Sequence, residues 1–332
     1  MKPERIEKIR YWMGNKLPKG LFDIAVFFRV LYKNVKYREK KVSFGEMNPD
    51  KTFYVIRLAP PAAGFLANYN YVLGYMRYAF SQGWIPVIDM ENYATLYQED
   101  IAIDGTRNVW EYFFEQPWDE KTQKRYDLSE VYKSKNVVLG KADDQSMFSL
   151  STDSDEIIWR NEMAKLVPFN EKTQQHISKY ADEILKGRGS FIGMPIRGGD
   201  LKKRVIGHSK QPEVSEMFEI LKGKNEEWKM DSVFISTEDE SIIKAAQNEI
   251  RDVFWIERKR ITSEQAGKTT NSVIFGQNNM KYQSLLSYLT EISILSKCDS
   301  LIGTRTNGTI VAAIWNGGLY KNVEIVDAGV WK

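Results

Sequence analysis

SFIGMPIRGGD, residues 190–200, is a short apolar stretch that leads directly into a turn with one arginine, two glycines and one aspartate. Residues 190–196 have the composition of a buried strand. From here to the end of the chain, strand and helix patterns alternate. We predict further strands at 232–236, 253–256, 300–303 and 323–326, and helices at 212–221, 240–249, 283–296 and 309–315. Such alternation specifies an α/β fold with a doubly wound parallel sheet.

The first half of the chain contains one recognisable βαβ unit. A strand at 52–58 is stopped by a loop with two prolines and a glycine at 60–64, and a helix at 68–81 and a strand at 85–90 follow. This unit predicts that a second parallel sheet begins here. Residues 91–150 alternate aromatic clusters with charged stretches, and there we expect helices rather than strands.

The length of 332 residues suits two domains of roughly 150 residues each. We predict a basic leader at 1–42, a first α/β domain at 43–175 and a second, Rossmann-like domain at 176–332. No apolar run reaches the roughly 20 residues of a membrane span, and no secretory signal follows Met1. A single cysteine, Cys298, fits a reducing compartment. The sequence therefore predicts a cytoplasmic protein, soluble or peripheral to a membrane.

Positive charge is concentrated in the leader, where residues 1–42 hold twelve Lys and Arg against four acidic residues, although the whole chain has a net charge of +3. The remainder is mildly acidic, which argues against nucleic acid as a partner, because nucleic-acid-binding domains display a basic stripe on the folded domain itself. The leader also carries aromatic residues at helical spacing, among them Phe27, Phe28 and Tyr32. It is either a helix docked on the protein with its lysines in water, or a helix that lies on an anionic membrane.

A basic turn follows the first strand of the second half, at the edge of the sheet where doubly wound folds bind ligands. Its residues are Arg197, Gly198, Gly199, Asp200, Lys202, Lys203 and Arg204. A guanidinium offers a rigid fork of donors that suits phosphate, and glycines let the backbone approach an anion closely. The turn is therefore predicted to hold a diphosphate. The alternative is a tight turn in which Asp200 pairs with Arg197.

Two later turns carry acids and hydroxyl groups. Residues 236–240, STEDE, follow a strand and are either a helix cap or a carboxylate site that accepts hydrogen bonds from a ligand. Residues 304–309, TRTNGT, lead from a strand into a helix and are either an anion site at a helix N-terminus or a plain N-cap.

Several other chemistries are disfavoured by what the chain lacks. It has two histidines, His176 and His208, and one cysteine, too few for a His/Cys metal cluster. The nucleophile elbow of serine hydrolases, the phosphate-binding loop of nucleotide triphosphatases and the dinucleotide-binding fingerprint are not found in the sequence. Serine hydrolysis, kinase-type phosphoryl transfer and dehydrogenase chemistry are therefore not expected.

Three segments, in the right order and spacing, resemble the motifs of the GT-B fucosyltransferase superfamily, which includes the core α1,6-, nodulation, bacterial α1,2- and protein O-fucosyltransferases. IGMPIRGGD (192–200) is similar to its arginine motif, SVFISTEDESIIKAA (232–246) to its acidic motif, and ISILSKCDSLIGTRTNGT (292–309) to its helix, strand and hydroxyl motif. GFLAN (64–68) is similar to the turn that opens the family's acceptor domain. The resemblance implies two Rossmann-like domains with parallel sheets that face a central cleft, and transfer of fucose from GDP-fucose.

The resemblance also implies roles for individual residues. Arg197 would hold the donor diphosphate and stabilise the leaving group, and Glu291 would read guanine, whose ring donors suit a carboxylate. The predicted catalytic residues are Arg197, Asp200 and His208; the predicted donor-binding residues are Gly198, Gly199, Lys202, Asp239, Glu291, Thr304, Thr306 and Asn307; the predicted acceptor-side residues are Gly64, Asn68 and Asp89. No cofactor or metal is expected, and the acceptor is expected to be a glycan or a lipid-linked oligosaccharide in a bacterial surface-polysaccharide pathway.

The chain departs from the family pattern at three positions. Pro195 replaces a histidine, Gly198 replaces a second arginine, and Val205 stands where the core enzymes carry an acidic base. The base is therefore unassigned among Asp200, His208 and Asp89. Three alternatives stay open: the same fold with another nucleotide sugar, a non-catalytic nucleotide- or glycan-binding module, and a membrane-surface scaffold.

Overall fold

The computed structural model describes Ile9 and residues 19–60, 64–198, 209–262 and 280–330. The chain forms two compact units. The first contains Met1–Ser149 and Glu162–Asn170, and the second contains Leu150–Asn161 and Glu171–Lys332. The chain therefore passes from one unit to the other three times.

The first unit is built on a four-stranded sheet. Its strands are β1 (Lys40–Val42), β2 (Met47–Ile56), β3 (Ile85–Ile88) and β4 (Ser134–Leu139), and its helices are α1 (Lys19–Lys36), α2 (Phe65–Ser81) and the single turn α3 (Leu128–Val131). The strand order is β1-β4-β2-β3, in which β2 runs parallel to β3 and β4, and β1 is antiparallel to β4. The predicted βαβ unit is confirmed as β2-α2-β3.

Helix α2 is buried on most of its circumference, and Gly74 at its centre permits this packing. A Cβ atom at position 74 would lie 2.0 Å from the carbonyl oxygen of Met147, in the 3-10 turn Gln145–Met147. The Asn70 amide of α2 donates a hydrogen bond to the carbonyl oxygen of Ser149, just after this turn. Only glycine allows a helix and a neighbouring backbone to approach so closely.

The second unit is built on a sheet of five parallel strands. They are β5 (Phe191–Pro195), β6 (Ser232–Ser236), β7 (Val253–Phe254), β8 (Ser300–Thr304) and β9 (Asn322–Val326), in the order β7-β6-β5-β8-β9. Its helices are α5 (Glu171–Leu185), α6 (Val214–Trp228), α7 (Glu240–Glu249), α8 (Met280–Leu295) and α9 (Asn307–Asn316). Helix α4 (Ser154–Lys165) begins in this unit, and its residues from Glu162 on belong to the first unit. This is the strand order of a Rossmann-type doubly wound sheet, so the predicted α/β fold class is confirmed for this unit.

Both faces of this sheet are covered by helices. On one face, Ile192 and Met194 of β5 pack in a core with apolar side chains of α6 and α7. On the other face, Gly193 lies against Leu295 of α8 and against Cys298. Because strands buried on both faces need apolar side chains in both directions, β5 and β6 have the continuous apolar runs that identify them in the sequence.

The structure differs from the sequence predictions mainly in the first unit. Residues 91–150, all of which the structure describes, contain only α3 and a 3-10 turn as helices, so the expectation of helices there is wrong. Strand β4, which was not predicted, lies between β1 and β2. Its sequence, SKNVVL, is polar in its first half and gives only a weak strand pattern. In the second unit, α6 extends beyond 221 to Trp228 through a polar segment without apolar spacing.

Helix α1 in the leader exposes a broad apolar surface. Its side chains that are 48–63% exposed include Leu21, Ile24, Phe27, Phe28, Leu31, Tyr32 and Val35. The end of the helix is held by an ion pair between Lys33 and Asp143 and by a 3.0 Å hydrogen bond from the Ala142 N–H to the Tyr37 carbonyl oxygen. The docked-helix alternative is not confirmed, because these apolar side chains face solvent. None of the helices in the described ranges has the length and apolar character needed to cross a membrane.

Candidate functional site

Strands β5 and β8 of the second unit separate at their carboxyl ends. β5 pairs with β6 as far as Pro195 opposite Ser236, but it pairs with β8 only through Ile192 and Gly193. Ile196 donates its N–H to Ser236. Since successive N–H groups of a strand point to opposite sides, the N–H that Pro195 lacks would have pointed toward β8. Pro195 thus ends the hydrogen bonding between β5 and β8. The strand order reverses between these two strands, and doubly wound sheets bind ligands at such a switch point.

Arg197 follows β5 at this switch point and pairs with a buried acid. Its Nε lies 3.6 Å from Oε1 of Glu238; the arginine side chain is 28% exposed and the glutamate side chain 7%. The same carboxylate oxygen accepts a 3.1 Å hydrogen bond from the Gly198 N–H. A Cβ atom on residue 198 would lie 2.5 Å from Cβ of Asp239. Packing against Asp239 therefore explains why a glycine stands at position 198.

Asp239 caps helix α7. Its Oδ1 accepts hydrogen bonds from the Ser241 N–H at 2.9 Å and the Ser241 hydroxyl at 2.6 Å. This is the geometry of an N-cap aspartate, so the helix-cap alternative for residues 236–240 is confirmed. Glu238, the preceding residue, is the acid that faces Arg197, and a contact of Asp239 with a donor stays a prediction.

The turn after β8 begins helix α9. The Thr306 hydroxyl accepts a 3.4 Å hydrogen bond from the Thr309 N–H and lies 3.0 Å from the Thr309 hydroxyl, so the N-cap alternative is confirmed. Oδ1 of Asn307 is buried and has no hydrogen-bond partner among the described residues. The first N–H groups of a helix have no partner within the helix, and its N-terminus carries a partial positive charge. The cap and an anion site are therefore compatible here.

Thr304, the last residue of β8, is used inside the protein. It is 4% exposed, and its hydroxyl donates a 2.8 Å hydrogen bond to Oε1 of Gln211. The side chain thus anchors Gln211 to the end of β8. A direct contact of the Thr304 hydroxyl with a donor stays a prediction.

Glu291 is the centre of a buried ionic cluster. It is fully buried, and its carboxylate accepts hydrogen bonds from Arg258 Nε at 2.7 Å, Arg258 Nη2 at 3.0 Å, Arg260 Nη2 at 3.4 Å and the Ser236 hydroxyl at 2.9 Å. These four donors occupy the acceptor positions of a carboxylate. Contact of Glu291 with guanine would therefore require one of these donors to be displaced, and it stays a prediction.

Guanidinium and carboxylate groups lie close together around the switch point. Burial works against the charge of Arg258, but the adjacent Glu291 carboxylate outweighs it and raises the pKa of this arginine. Burial also raises the pKa of the nearby Tyr288 to about 12, so this phenol is neutral at physiological pH. The charged groups that act on Tyr288 are Arg197, Glu238, Arg258 and Glu291. The ion pairs here join Arg197 to Glu238, and Arg258 and Arg260 to Glu291. Within the described ranges, no group of three His, Cys, Asp or Glu side chains could hold a metal ion.

The predicted acceptor-side residues belong to the first unit and are buried or structural. Asp89 is fully buried; its carboxylate accepts hydrogen bonds from the Glu91 and Asn92 N–H groups, the Asn92 amide and the Tyr132 hydroxyl. In this structure the Asp89 carboxylate holds a turn, and its role as a general base stays a prediction. Gly64 precedes α2, and Asn68 is buried on the first turn of that helix, so acceptor contacts of these two residues stay predictions.

Four predicted site residues, Gly199, Asp200, Lys202 and His208, lie outside the described residues, as do Lys203, Arg204 and Val205. Conversely, the sequence predictions named Glu238 only as part of the run 236–240, and they did not include Arg258 and Arg260. The two arginines lie in the run ERKR (257–260), which begins three residues after the end of β7. The rule that directs attention to the carboxyl ends of strands would have found them.

Comparison with known proteins gives matches only at the level of structure. No protein-family model matches the chain, and no curated protein sequence is similar to it. Among solved structures, NodZ α1,6-fucosyltransferase soaked with GDP-fucose is similar with a TM-score of 0.49 at 13% identity, over 79% of this chain and 91% of that one. NodZ from Bradyrhizobium gives 0.49 at 14% identity over 79% and 92%, and POFUT1 in complex with GDP-fucose gives 0.45 at 10% identity over 85% and 99%. Because these TM-scores are below 0.5 and the identities are 10–14%, the functional site is interpreted from its own geometry.

Proposed function

We propose that this chain is a fucosyltransferase-like glycosyltransferase that binds a nucleoside diphosphate sugar at the switch point of the second unit. The observation that carries the proposal is that Arg197 and the N-terminus of α9 follow β5 and β8, the two strands between which the order reverses. Arginine suits phosphate, and helix N-termini bind anions. The three sequence motifs favour sugar transfer over other uses of a diphosphate site.

In the proposed reaction, the bond between the anomeric carbon and a diphosphate oxygen breaks while an acceptor hydroxyl oxygen bonds to the opposite face of that carbon. The electron pair of the broken bond leaves with the nucleoside diphosphate, and the acceptor proton passes to a base. Stabilisation of charge on the leaving group should be the largest catalytic contribution. Arg197 and the N-terminus of α9 supply it without a metal ion in this proposal.

The proposed donor is GDP-fucose, on the strength of the motif resemblance, and the acceptor is a glycan or lipid-linked oligosaccharide of a bacterial surface polysaccharide. Because the Glu291 carboxylate is bonded within the protein, we propose that another group contributes to recognition of guanine. Asp200 and His208 are the proposed candidates for the general base that accepts the acceptor proton; a general base typically contributes about 10²- to 10⁴-fold in rate.

Two of the three departures from the family pattern coincide with structural features of the second unit, which weakens the case for a non-catalytic module. Pro195 ends the ladder between β5 and β8, and Gly198 leaves space for Asp239. Neither substitution removes Arg197 or the N-terminus of α9. Loss of activity is therefore not required by these two positions.

Replacing Arg197 by alanine tests the proposal. We expect the dissociation constant for GDP and GDP-fucose, measured by calorimetry with a chelator present, to rise about tenfold or more, because a charge-assisted contact to phosphate is lost. The matched control is Arg251→Ala, since that arginine is 95% exposed in the same unit. A folded wild type that binds no GDP, or equal binding by wild type and Arg197→Ala, would contradict the proposal; preference for UDP over GDP would replace the donor.

Helix α1 is proposed to attach the enzyme to an anionic membrane, where lipid-linked acceptors lie. The exposed side chains of Phe27 and Phe28 are 63% and 61% accessible, and Lys36, Arg38, Lys40 and Lys41 follow at the end of the helix. Aromatic and apolar side chains insert at the headgroup boundary, and each basic side chain near an anionic surface contributes about 1 kcal/mol.

Sedimentation with vesicles rich in phosphatidylserine tests this attachment. We expect the wild type to sediment at low salt and Phe27→Ser/Phe28→Ser to stay largely in the supernatant, because the inserted rings are lost. Leu319→Ser is the matched control, because this leucine of the second unit is 81% exposed and lies outside the helix. Equal sedimentation of the wild type and the double variant, or no sedimentation of the wild type, would refute attachment through α1.

A further inference from the structure

A cavity of about 790 Å³ lies within the second unit, at the carboxyl ends of β8 and β9. One wall is Arg305, the first residue after β8, and another is Asp327, the first residue after β9. The volume is within the range of small-ligand sites, about 300–1,000 Å³. Its described lining includes none of the residues that the sequence predicted as site residues.

The walls of the cavity are held by a defined set of contacts. Arg305 Nη1 lies 3.6 Å from Asp327 Oδ2, and Asp327 Oδ1 accepts a 2.8 Å hydrogen bond from the Gly329 N–H. Gly329 in turn accepts a 2.8 Å hydrogen bond from the Lys210 N–H, which fixes the neighbouring Ser209. The cavity is thus part of the folded edge of the sheet.

The far wall is the start of helix α4, which lies in the same unit. Asp153 caps this helix by accepting hydrogen bonds from the Asp155 and Glu156 N–H groups at 3.0 and 3.2 Å. The hydroxyl of Ser151 accepts a 3.0 Å hydrogen bond from the Asp153 N–H. The wall therefore presents hydroxyl and carboxylate oxygens in a fixed arrangement.

The chemistry of the lining selects a hydroxylated ligand. Among the described residues it comprises two carboxylates, one guanidinium and three hydroxyl groups, and it contains no aromatic ring. Stacking with a nucleobase is not favoured by this lining, because its large apolar side chains are the aliphatic Leu150 and Val330. A guanidinium beside a carboxylate places donors next to acceptors, and neighbouring hydroxyl groups of a sugar can bond to both.

We infer that this cavity holds the transferred sugar of the nucleotide donor, with Arg305 and Asp327 as the residues that bind its hydroxyl groups. Arg305 lies between Thr304 and Thr306, so the cavity adjoins the turn at which the diphosphate is proposed to bind. In a nucleotide sugar the transferred sugar is bonded directly to the diphosphate. The inference rests on the proposed function, and it adds the location and the residues of sugar recognition.

Two ligands that differ only in the sugar separate this inference from the proposed function. The dissociation constants for GDP and GDP-fucose are measured by calorimetry for full-length wild type, Arg305→Met and Asp327→Asn. We expect each variant to bind GDP-fucose about fivefold more weakly and GDP within about twofold of the wild type, because only contacts to sugar hydroxyl groups are lost. Thermal melting checks that each variant is folded.

Lys321→Met is the matched control, because Lys321 pairs with Asp299 at 2.7 Å at the opposite, amino ends of the same two strands. It should change neither affinity. If the wild type binds GDP but the variants lose affinity for both ligands equally, or for neither, the inference is overturned while the proposed function stands. A wild type that binds no nucleotide removes the proposed function and this inference with it; one that prefers UDP is tested in the same way with UDP and UDP-galactose.

Discussion

Replacing Glu291 by alanine is expected to lower the free energy of unfolding by about 3–5 kcal/mol, because it removes the carboxylate that contacts two buried guanidinium groups. Arg258 and Arg260 are 7% and 5% exposed, and both lie within 3.4 Å of this carboxylate. Urea denaturation gives the free energy, and amide hydrogen exchange should locate the loss in the second unit.

The control for Glu291 is Glu219→Ala on helix α6. Glu219 also pairs with a basic side chain, Lys222, at 2.8 Å, but its own side chain is 73% exposed. A solvent-exposed pair contributes little, so we expect a change within about 0.5 kcal/mol. An equally small effect of Glu291→Ala would mean that the carboxylate is hydrated, and guanine recognition by Glu291 would have to be reconsidered.

Replacing Gly74 by alanine should destabilise the first unit by about 3 kcal/mol or more, near the upper end of what overpacking costs. The new methyl group would lie 2.0 Å from a backbone carbonyl oxygen, that of Met147, and no side-chain rotation can relieve the overlap. Either α2 or the turn Gln145–Met147 must move. The measurement is again urea denaturation, with hydrogen exchange of α2 as the local readout.

Gly223→Ala is the control, because here the same substitution is expected to stabilise the protein and not to destabilise it. Gly223 lies in the middle of α6, and a Cβ atom added there would have no described atom of another part of the chain within 4 Å. Alanine should therefore stabilise this helix by about 0.5–1 kcal/mol. If both substitutions had the same sign and size, close contact with Met147 would not be the reason for the glycine in α2.

The second unit could be predicted well from the sequence because its central strands are buried on both faces. β5, β6 and β8 appear as uninterrupted apolar runs, and each is bounded by a turn or helix cap that sequence patterns identify. The position of Arg197 at the switch point also followed, because it depends only on which residue comes after a strand. The first unit was harder, since β4 is half polar and residues 91–127 are held by turns and not by periodic elements.

The contacts within the site could not be predicted in the same way. Glu238 and Asp239 are neighbours in sequence, and the path of the backbone after β6 decides which one faces Arg197 and which one caps α7. The pair of Arg258 and Glu291 joins residues 33 positions apart, from a loop after β7 and from helix α8. No periodic pattern in the sequence predicts such a pairing. Glu291 was therefore assigned to guanine from its position in the motif alone.

The three passages of the chain between the units limit how the protein can be dissected. A fragment that begins at Glu171 would contain all five strands of the second sheet but would lack Leu150–Asn161. Asn161 of that segment donates a 2.7 Å hydrogen bond to the Ile314 carbonyl oxygen of α9, so the fragment would lose a contact of the helix that begins at the proposed phosphate site. Cleaving the chain at one position therefore cannot yield both units intact. One way to keep the second unit whole is to join residues 150–161 to residues 171–332, either through a linker or by circular permutation.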